Sequence, residues 1–504
     1  MHLKKMVGLA ALLSMTLAAN ANYPDASKWS TSFKWKKSSQ MPKLIKQAQK
    51  RHNSRKVANF NAIDLSLMST EYKGMVEKII NADSADKIAK LISELEPKLD
   101  DMPADAKFLG TQLVMLKPFR GLIYRMIPLV EKEKITHSYL RNQVKIVASN
   151  MRVYLPMEHW EAGFEYMTEP YLAKNGKIVT QFDDDKSFLK VTKSGTEKFQ
   201  DFVGNEVYEA MATAANRIET IDFSEKPMVW DNKASSGKKS FKDDFEDIRY
   251  RNLGEAERYI ALSSLHFGMH YLNYLVSYNI EGSLKLSKDI GKLYGIDGFF
   301  RGEIEGVPSY KWVKKVNSKS YENIGKLRKG YKANMALSYD HLKEGVRNLR
   351  IAREELRNES ASRFLAIDPA KLNAWDENIE RQFKHIECLT NDQKESTPSA
   401  CPIRSAVTGH TVIVDLKGFY MNPPNDLKAF LPTSWDTKTK MIKKHGKEFP
   451  NYKWGTPTQW NVSVYKKHVF PQITSDQDIP KYVRTLRQAF GGEAFGVPMA
   501  IFVE

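Results

Sequence analysis

The longest run after the N-terminus without Lys, Arg, Asp or Glu is Tyr259 to Ile280, YIALSSLHFGMHYLNYLVSYNI. Its length nearly matches a bilayer-spanning helix, but His266, His270, Asn273, Asn279 and three serines make it too polar to enter lipid unaided. The pattern predicts a buried central helix inside a protein core, with the rest of the chain arranged around it.

Helical periodicity begins at Asn61, with Leu65, Met68, Tyr72, Met75, Val76, Ile79 and Ile80 at three- and four-residue steps. Asp83 or Ser84 should cap a second helix carrying Ile88, Leu91, Ile92 and Leu95, ended by Pro97. A third runs from Pro103 to Val130, kinked or divided at Pro118 and Pro128, and a fourth covers residues 138–154. Between 170 and 182 the pattern changes to a β-hairpin, with Asn175-Gly176 as its turn. The following Asp183-Asp184-Asp185 lacks the rest of a calcium loop and is expected to be a solvated turn. A helix from Thr196 to Ile221 comes next. The small, polar segment 231–240 marks a domain boundary or a long surface loop, and the central helix region begins at Phe241, as one long element or as two with a break near Gly254.

A helix is predicted from Tyr321 to Arg357. Met335, Leu342, Leu349 and Leu356 recur every seven residues along it, with Ile324, Tyr331, Ser338, Gly345 and Ala352 between them. Alternating large and small positions let a neighbouring helix approach closely, which favours an antiparallel pair within the chain over a coiled coil between chains. Its outer face carries Lys326, Lys329, Lys332, Lys343, Arg347, Arg350, Arg353 and Arg357. Asp368-Pro369 opens another helix. Beyond Cys401 helical periodicity mostly fails: residues 411–416 and 499–503 read as strands, and 479–490 as a helix. The fold class is mainly α, a multi-helix bundle or irregular helical stack with one β-hairpin and a small α+β C-terminal unit. The expected organisation is a secretory signal at 1–21, a basic aromatic arm at 22–60, a helical domain at 61–230, a central helical domain at 241–388, and the C-terminal unit at 401–504.

Composition adds compartment and charge. Lys4 and Lys5, the apolar run Met6 to Ala19 and Ala19-Asn20-Ala21 have the form of an export signal cleaved before Asn22. The predicted location is periplasmic or extracellular. The chain holds 77 Lys and Arg against 60 Asp and Glu, a formal charge of +17. Outside the cytoplasm the anions at hand are envelope polymers and lipid head groups, so no nucleic-acid partner is expected and a peripheral contact with an anionic surface is. The arm is acid-free from Ser27 to Ile63. Lys28, Trp29, Phe33, Lys34, Trp35, Lys36 and Lys37 form its candidate binding segment, with rings among charges as at a head-group interface or a sugar-stacking site; the alternative is a solvated tail whose aromatics pack back on the body. The only two cysteines, Cys388 and Cys401, predict a disulfide that would stabilise the fold by roughly 3 kcal/mol.

Candidate chemistry is sparse. His266 and His270 could face one metal, yet the H-E-x-x-H and E-x-x-H patterns are absent, and Glu255 lies three turns away on the same helix face. They are therefore expected to be core histidines. No nucleotide or dinucleotide fingerprint and no nucleophile elbow is present, so no cofactor and no catalytic residue is assigned. Trp435, Trp454 and Trp460 suit either glycan stacking or a thin core. The function expected is an exported envelope binding or scaffold protein. The alternative is an envelope enzyme acting on glycan or peptide between the central helix and the C-terminal unit. The oligomeric state is left open.

Overall fold

Two serines set the first helices. Ser69 accepts a hydrogen bond from the Tyr72 amide (3.0 Å) and opens α1, Thr70–Ile80; Ser84 caps α2, Ala85–Leu95, in the same way. Ser69 is itself anchored, its amide and hydroxyl each donating to the Asp105 carboxylate at 2.8 Å. Helix α1 buries Tyr72, Met75, Val76 and Ile79, and α2 buries Ile88, Leu91, Ile92 and Leu95. These are the predicted apolar stripes.

The computed structural model describes residues 63–132, 160–173, 175–183, 194–224, 226–231, 249–283, 285–286, 310–356, 384–385, 387–390, 401–405, 408–436, 440–444, 447–451 and 456–489. The expected signal segment, the arm, the helices at 138–154 and from Asp368, and the strand at 499–503 lie outside these residues.

The expected third helix is divided at Pro118, as predicted. Helix α3, Ala104–Val114, and α4, Leu122–Lys132, are separated by a 3-10 turn at Lys117–Phe119, and α4 accommodates Pro128. At the junction Gly121 has φ +62° and donates its amide to the Tyr166 carbonyl (2.8 Å). That carbonyl belongs to α5, Trp160–Thr168, a short helix missed in the sequence that packs on α2 and α4. The hairpin follows it. Leu172 bridges Ile178, Ala173 donates to the Lys177 carbonyl (2.8 Å), and the Gly176 amide closes onto Ala173 (2.9 Å) with φ +72°. The loop thus holds three residues, one more than the tight Asn-Gly turn predicts.

Helix α6, Gly195–Phe202, begins at a capping box of Ser194 and Glu197. The predicted single helix is then interrupted by a π-turn, Val203–Val207, before α7, Tyr208–Glu219. Phe199 and Phe202 pack on Phe182, and the Arg125 guanidinium lies over Phe182 (4.3 Å) and Phe202 (4.6 Å). Strand β1, Met228–Asp231, pairs antiparallel with β2, Tyr250–Leu253, so the polar segment at 231–240 starts where β1 ends.

Gly254 then precedes α8, Glu255–Ser277, the predicted buried central helix, and its amide donates to the Glu257 carboxylate (2.9 Å). Helix α9 is Tyr310–Val316. The next helix, α10, is Lys332–Leu356 and starts later than the predicted Tyr321. Gly325 (φ +80°) and Gly330 (φ +90°) take left-handed backbone there, and residues 326 and 327 bridge Asp426 and Tyr278 instead of coiling.

In the C-terminal unit, β3, Cys401–Arg404, pairs with β4, Thr411–Val414. The predicted strand stops at Val414 because Asp415 caps α11, Leu416–Met421, accepting from the Gly418 amide (2.7 Å). Strand β5, Ser434–Asp436, pairs with β8, Thr456–Gln459, around the pair β6, Lys440–Lys444, and β7, Lys447–Asn451. Helices α12, Val462–His468, and α13, Ile479–Ala489, complete the described chain. The architecture is a helical stack with small antiparallel β units.

One apolar core runs from Met68 to Val276 and takes in Ile351 and Ala352. A second joins Tyr274, Tyr278, Met335 and Tyr339 to the C-terminal unit. Helices α8 and α10 pass through both.

Candidate functional site

Helices α8 and α10 run antiparallel, and their shared seam is polar in five successive layers. Ser263 donates to the Gly345 carbonyl (2.7 Å); the Nδ1 atoms of His266 and His341 lie 3.1 Å apart; His270 Nδ1 meets the Ser338 hydroxyl (2.9 Å). Asn334 donates to Asn273 (3.2 Å), and the Ser277 hydroxyl approaches the Tyr331 carbonyl (3.5 Å). The α8 residues advance by alternating steps of three and four while their α10 partners descend in the same way. These are the inward positions of a heptad, places where a coiled coil ordinarily buries aliphatic side chains.

Small residues make the close approach possible. A Cβ on Gly345 would meet the Phe267 ring at 2.9 Å, and Ser338 and Ala352 are fully buried on the same face of α10. The expected antiparallel pair within the chain is therefore formed through the small positions of the repeat. Met335 and Leu342 turn instead towards the C-terminal unit.

The middle of the seam extends sideways. His341 Nε2 lies 2.8 Å from the hydroxyl of Tyr208, the first residue after the π-turn. Tyr208, His341 and His266 thus form one hydrogen-bonded chain, with both histidines and the tyrosine buried. In one proton arrangement Tyr208 donates to His341, which donates to His266; in the other His266 donates to His341, which donates to Tyr208. Each histidine is neutral in both. Burial pushes His266 down to about 3, and His341 is lowered well below the ordinary histidine range by burial and then by the neighbouring His266 and His270. The Tyr208 hydroxyl is raised by burial.

Glu255 does not join His266 and His270, although all three share a helix face in the sequence. It is tied to Arg258 at 2.5 and 2.8 Å and accepts from the Phe223 amide at 2.7 Å. Among the described residues no group of three or more His, Cys, Asp or Glu is placed to hold a metal ion. Cys388 and Cys401 meet in a disulfide with Cα atoms 5.7 Å apart, and the Tyr339 hydroxyl donates to the Leu389 carbonyl beside it (3.1 Å).

Three members of the basic face predicted along α10 are ion-paired. Lys343 pairs with Asp340 (3.0 Å), Arg347 with Glu344 (2.6 Å) and Arg350 with Glu387, while Arg353 is buried. Trp435 and Trp460 pack against apolar clusters, and Trp454 lies outside the described residues. So does the arm segment Lys28, Trp29, Phe33, Lys34, Trp35, Lys36 and Lys37.

His341, Asn334 and Tyr208 were not singled out in the sequence. The signal for the first two was present: Asn334, Ser338, His341, Gly345, Asn348 and Ala352 repeat at four- and three-residue steps. No family model and no solved structure matches the chain.

Proposed function

We propose that the protein is exported and works as a peripheral envelope-binding protein, its helical body carrying a cationic arm to an anionic surface. The observation that carries this reading is where the charge lies. Residues 22–62 hold ten Lys and Arg and one acid, Asp25, for a net +9; residues 63–504 hold 65 and 59, for a net +6. Among the described residues the body's ionic groups are extensively paired with one another, as along α10. Two further features support the proposed location: the Cys388–Cys401 disulfide, and the fact that no described helix is long and apolar enough to cross a membrane. The alternative of an enzyme between the central helix and the C-terminal unit fits less well. That junction is filled by Tyr274, Tyr278, Tyr339, Phe419 and Tyr420 packed ring to ring, and the seam's polar groups bond to one another.

Ten basic residues between Lys28 and Lys56 contribute about 1 kcal/mol each near an anionic membrane before ordering costs, and the interleaved rings add contact that salt does not screen. The mature protein should sediment with phosphatidylglycerol vesicles, more weakly at high salt but still measurably. Deleting residues 22–60 should remove most of this binding and leave the helical circular dichroism nearly unchanged. Undiminished binding by the deletion variant refutes the role of the arm.

A further inference from the structure

We infer that the hairpin spanning Tyr171–Val179 is a second contact with the same anionic lipid surface, dipping Leu172 and Ile178 into the head-group region. This rests on the membrane-binding reading of the arm. Leu172 and Ile178 are 66% and 57% exposed, two of the three large hydrophobic side chains left exposed among the described residues. They are also directly opposed across the hairpin, so both project from one face. The alternate positions point the other way: Val179 is buried, and the half-buried Tyr171 ring lies under the Arg120 guanidinium at 4.6 Å. The aliphatic pair therefore faces away from the body on an element whose inner face is already packed.

The loop is built for rigidity. The Asn175 side chain accepts from the Lys177 amide (3.1 Å), and Gly176 supplies the left-handed residue that the three-residue loop requires. A preorganised tip loses little freedom on binding. Charge complementarity selects the occupant. Lys177 is exposed beside Ile178, and the sequence of residues 172–178 holds one more lysine and no acid. At the hairpin base Asp183 pairs with Lys198 (3.6 Å). Aliphatic side chains flanked by lysines suit the boundary between lipid head groups and acyl chains, where lysine stems lie along apolar surface and their ammonium groups stay in water. Stable anchoring of a peripheral protein takes two signals, and the hairpin supplies an apolar one to accompany the electrostatic arm.

The test uses the full mature chain with an environment-sensitive dye on Leu172→Cys, since the native cysteines are bridged, and an Ile178→Asp variant in parallel. On phosphatidylglycerol vesicles the dye should shift to the blue and become accessible to acyl-chain quenchers. Ile178→Asp, with an unchanged melting temperature, should weaken vesicle binding at high salt on the order of 10-fold, the partition factor for half-burying one aliphatic side chain. If vesicles bind but the dye remains in water, the hairpin inference fails and the arm reading stands. If the wild type ignores vesicles, both fail. If Ile178→Asp instead abolishes self-association seen in sedimentation velocity, the patch is an interface between copies of this chain and the lipid assignment is overturned.

Discussion

Neutral histidines sealed inside the seam make the fold acid-sensitive in a calculable window. His266 titrates near 3 in the folded protein and near 6.5 when unfolded. Below about pH 6.5 the unfolded chain therefore binds a proton that the folded chain refuses, and stability falls as pH falls. From pH 7 to pH 5 the loss from His266 alone is about 2 kcal/mol, reaching about 4 kcal/mol by pH 3. His341 is shifted in the same direction. Tyr208 on α7 meets the pair at His341, and His270 on α8 adds to the lowering of His341. The measurement is urea unfolding of the mature protein at pH 7, 6 and 5, where most carboxylates remain ionised. The comparison is a variant carrying Tyr208→Phe, His266→Leu and His341→Leu together, which removes the hydrogen-bonding chain without stranding one of its members. His468, also lowered by burial, remains in both proteins, so the difference between their pH slopes reports the seam pair. The variant should lose at least about 2 kcal/mol less than the wild type between pH 7 and pH 5. Equal slopes would refute the reasoning.

Two further outcomes follow from packing and covalent structure. Gly345→Val places new carbon against the Phe267 ring and should cost about 1–3 kcal/mol, seen as a lower urea midpoint; an unchanged midpoint would mean that α8 and α10 can separate freely. The double change Cys388→Ser and Cys401→Ser opens a loop of sequence separation 13 and should cost about 3 kcal/mol in a thermal melt, with reduction of the wild type reproducing the effect. Identical melts before and after reduction would contradict it.

How much was legible depended on range. The stripes of α1 and α2 were readable because each helix buries a single face, but the apolar period ran on ahead of α1 through Leu65 and Met68, which lie in a 3-10 turn and an extended residue before Ser69 opens the helix. The cysteine pair was readable because the sequence offers only one pairing. By contrast, the start of α10 was misplaced because apolar Tyr321 and Ile324 fit the helical period, while two left-handed glycines and bridges to Tyr278 and Asp426 draw the backbone elsewhere. The pair β1–β2 was missed because each strand is four residues long and its partner lies beyond a polar segment. Most of the seam was invisible for a related reason. His266 and His270 were noticed on α8, but their partners are about 70 residues away, and polar residues at heptad positions do not register in a search for apolar periodicity.

The polar seam also bears on how the chain reaches its native pairing. A slide of α10 along α8 by one heptad brings Asn273 opposite His341, Ser277 opposite Ser338 and His270 opposite Gly345, so hydrogen-bonding groups still meet hydrogen-bonding groups. The ladder alone discriminates weakly between these alignments, unlike a single polar layer set in an aliphatic zipper, which penalises every mismatch. The choice falls to neighbours: the Phe267 ring, which needs the bare backbone of Gly345, and Tyr208, which the π-turn carries to His341. Two helices whose polar ladder barely distinguishes a one-heptad shift are thereby locked in phase by a third.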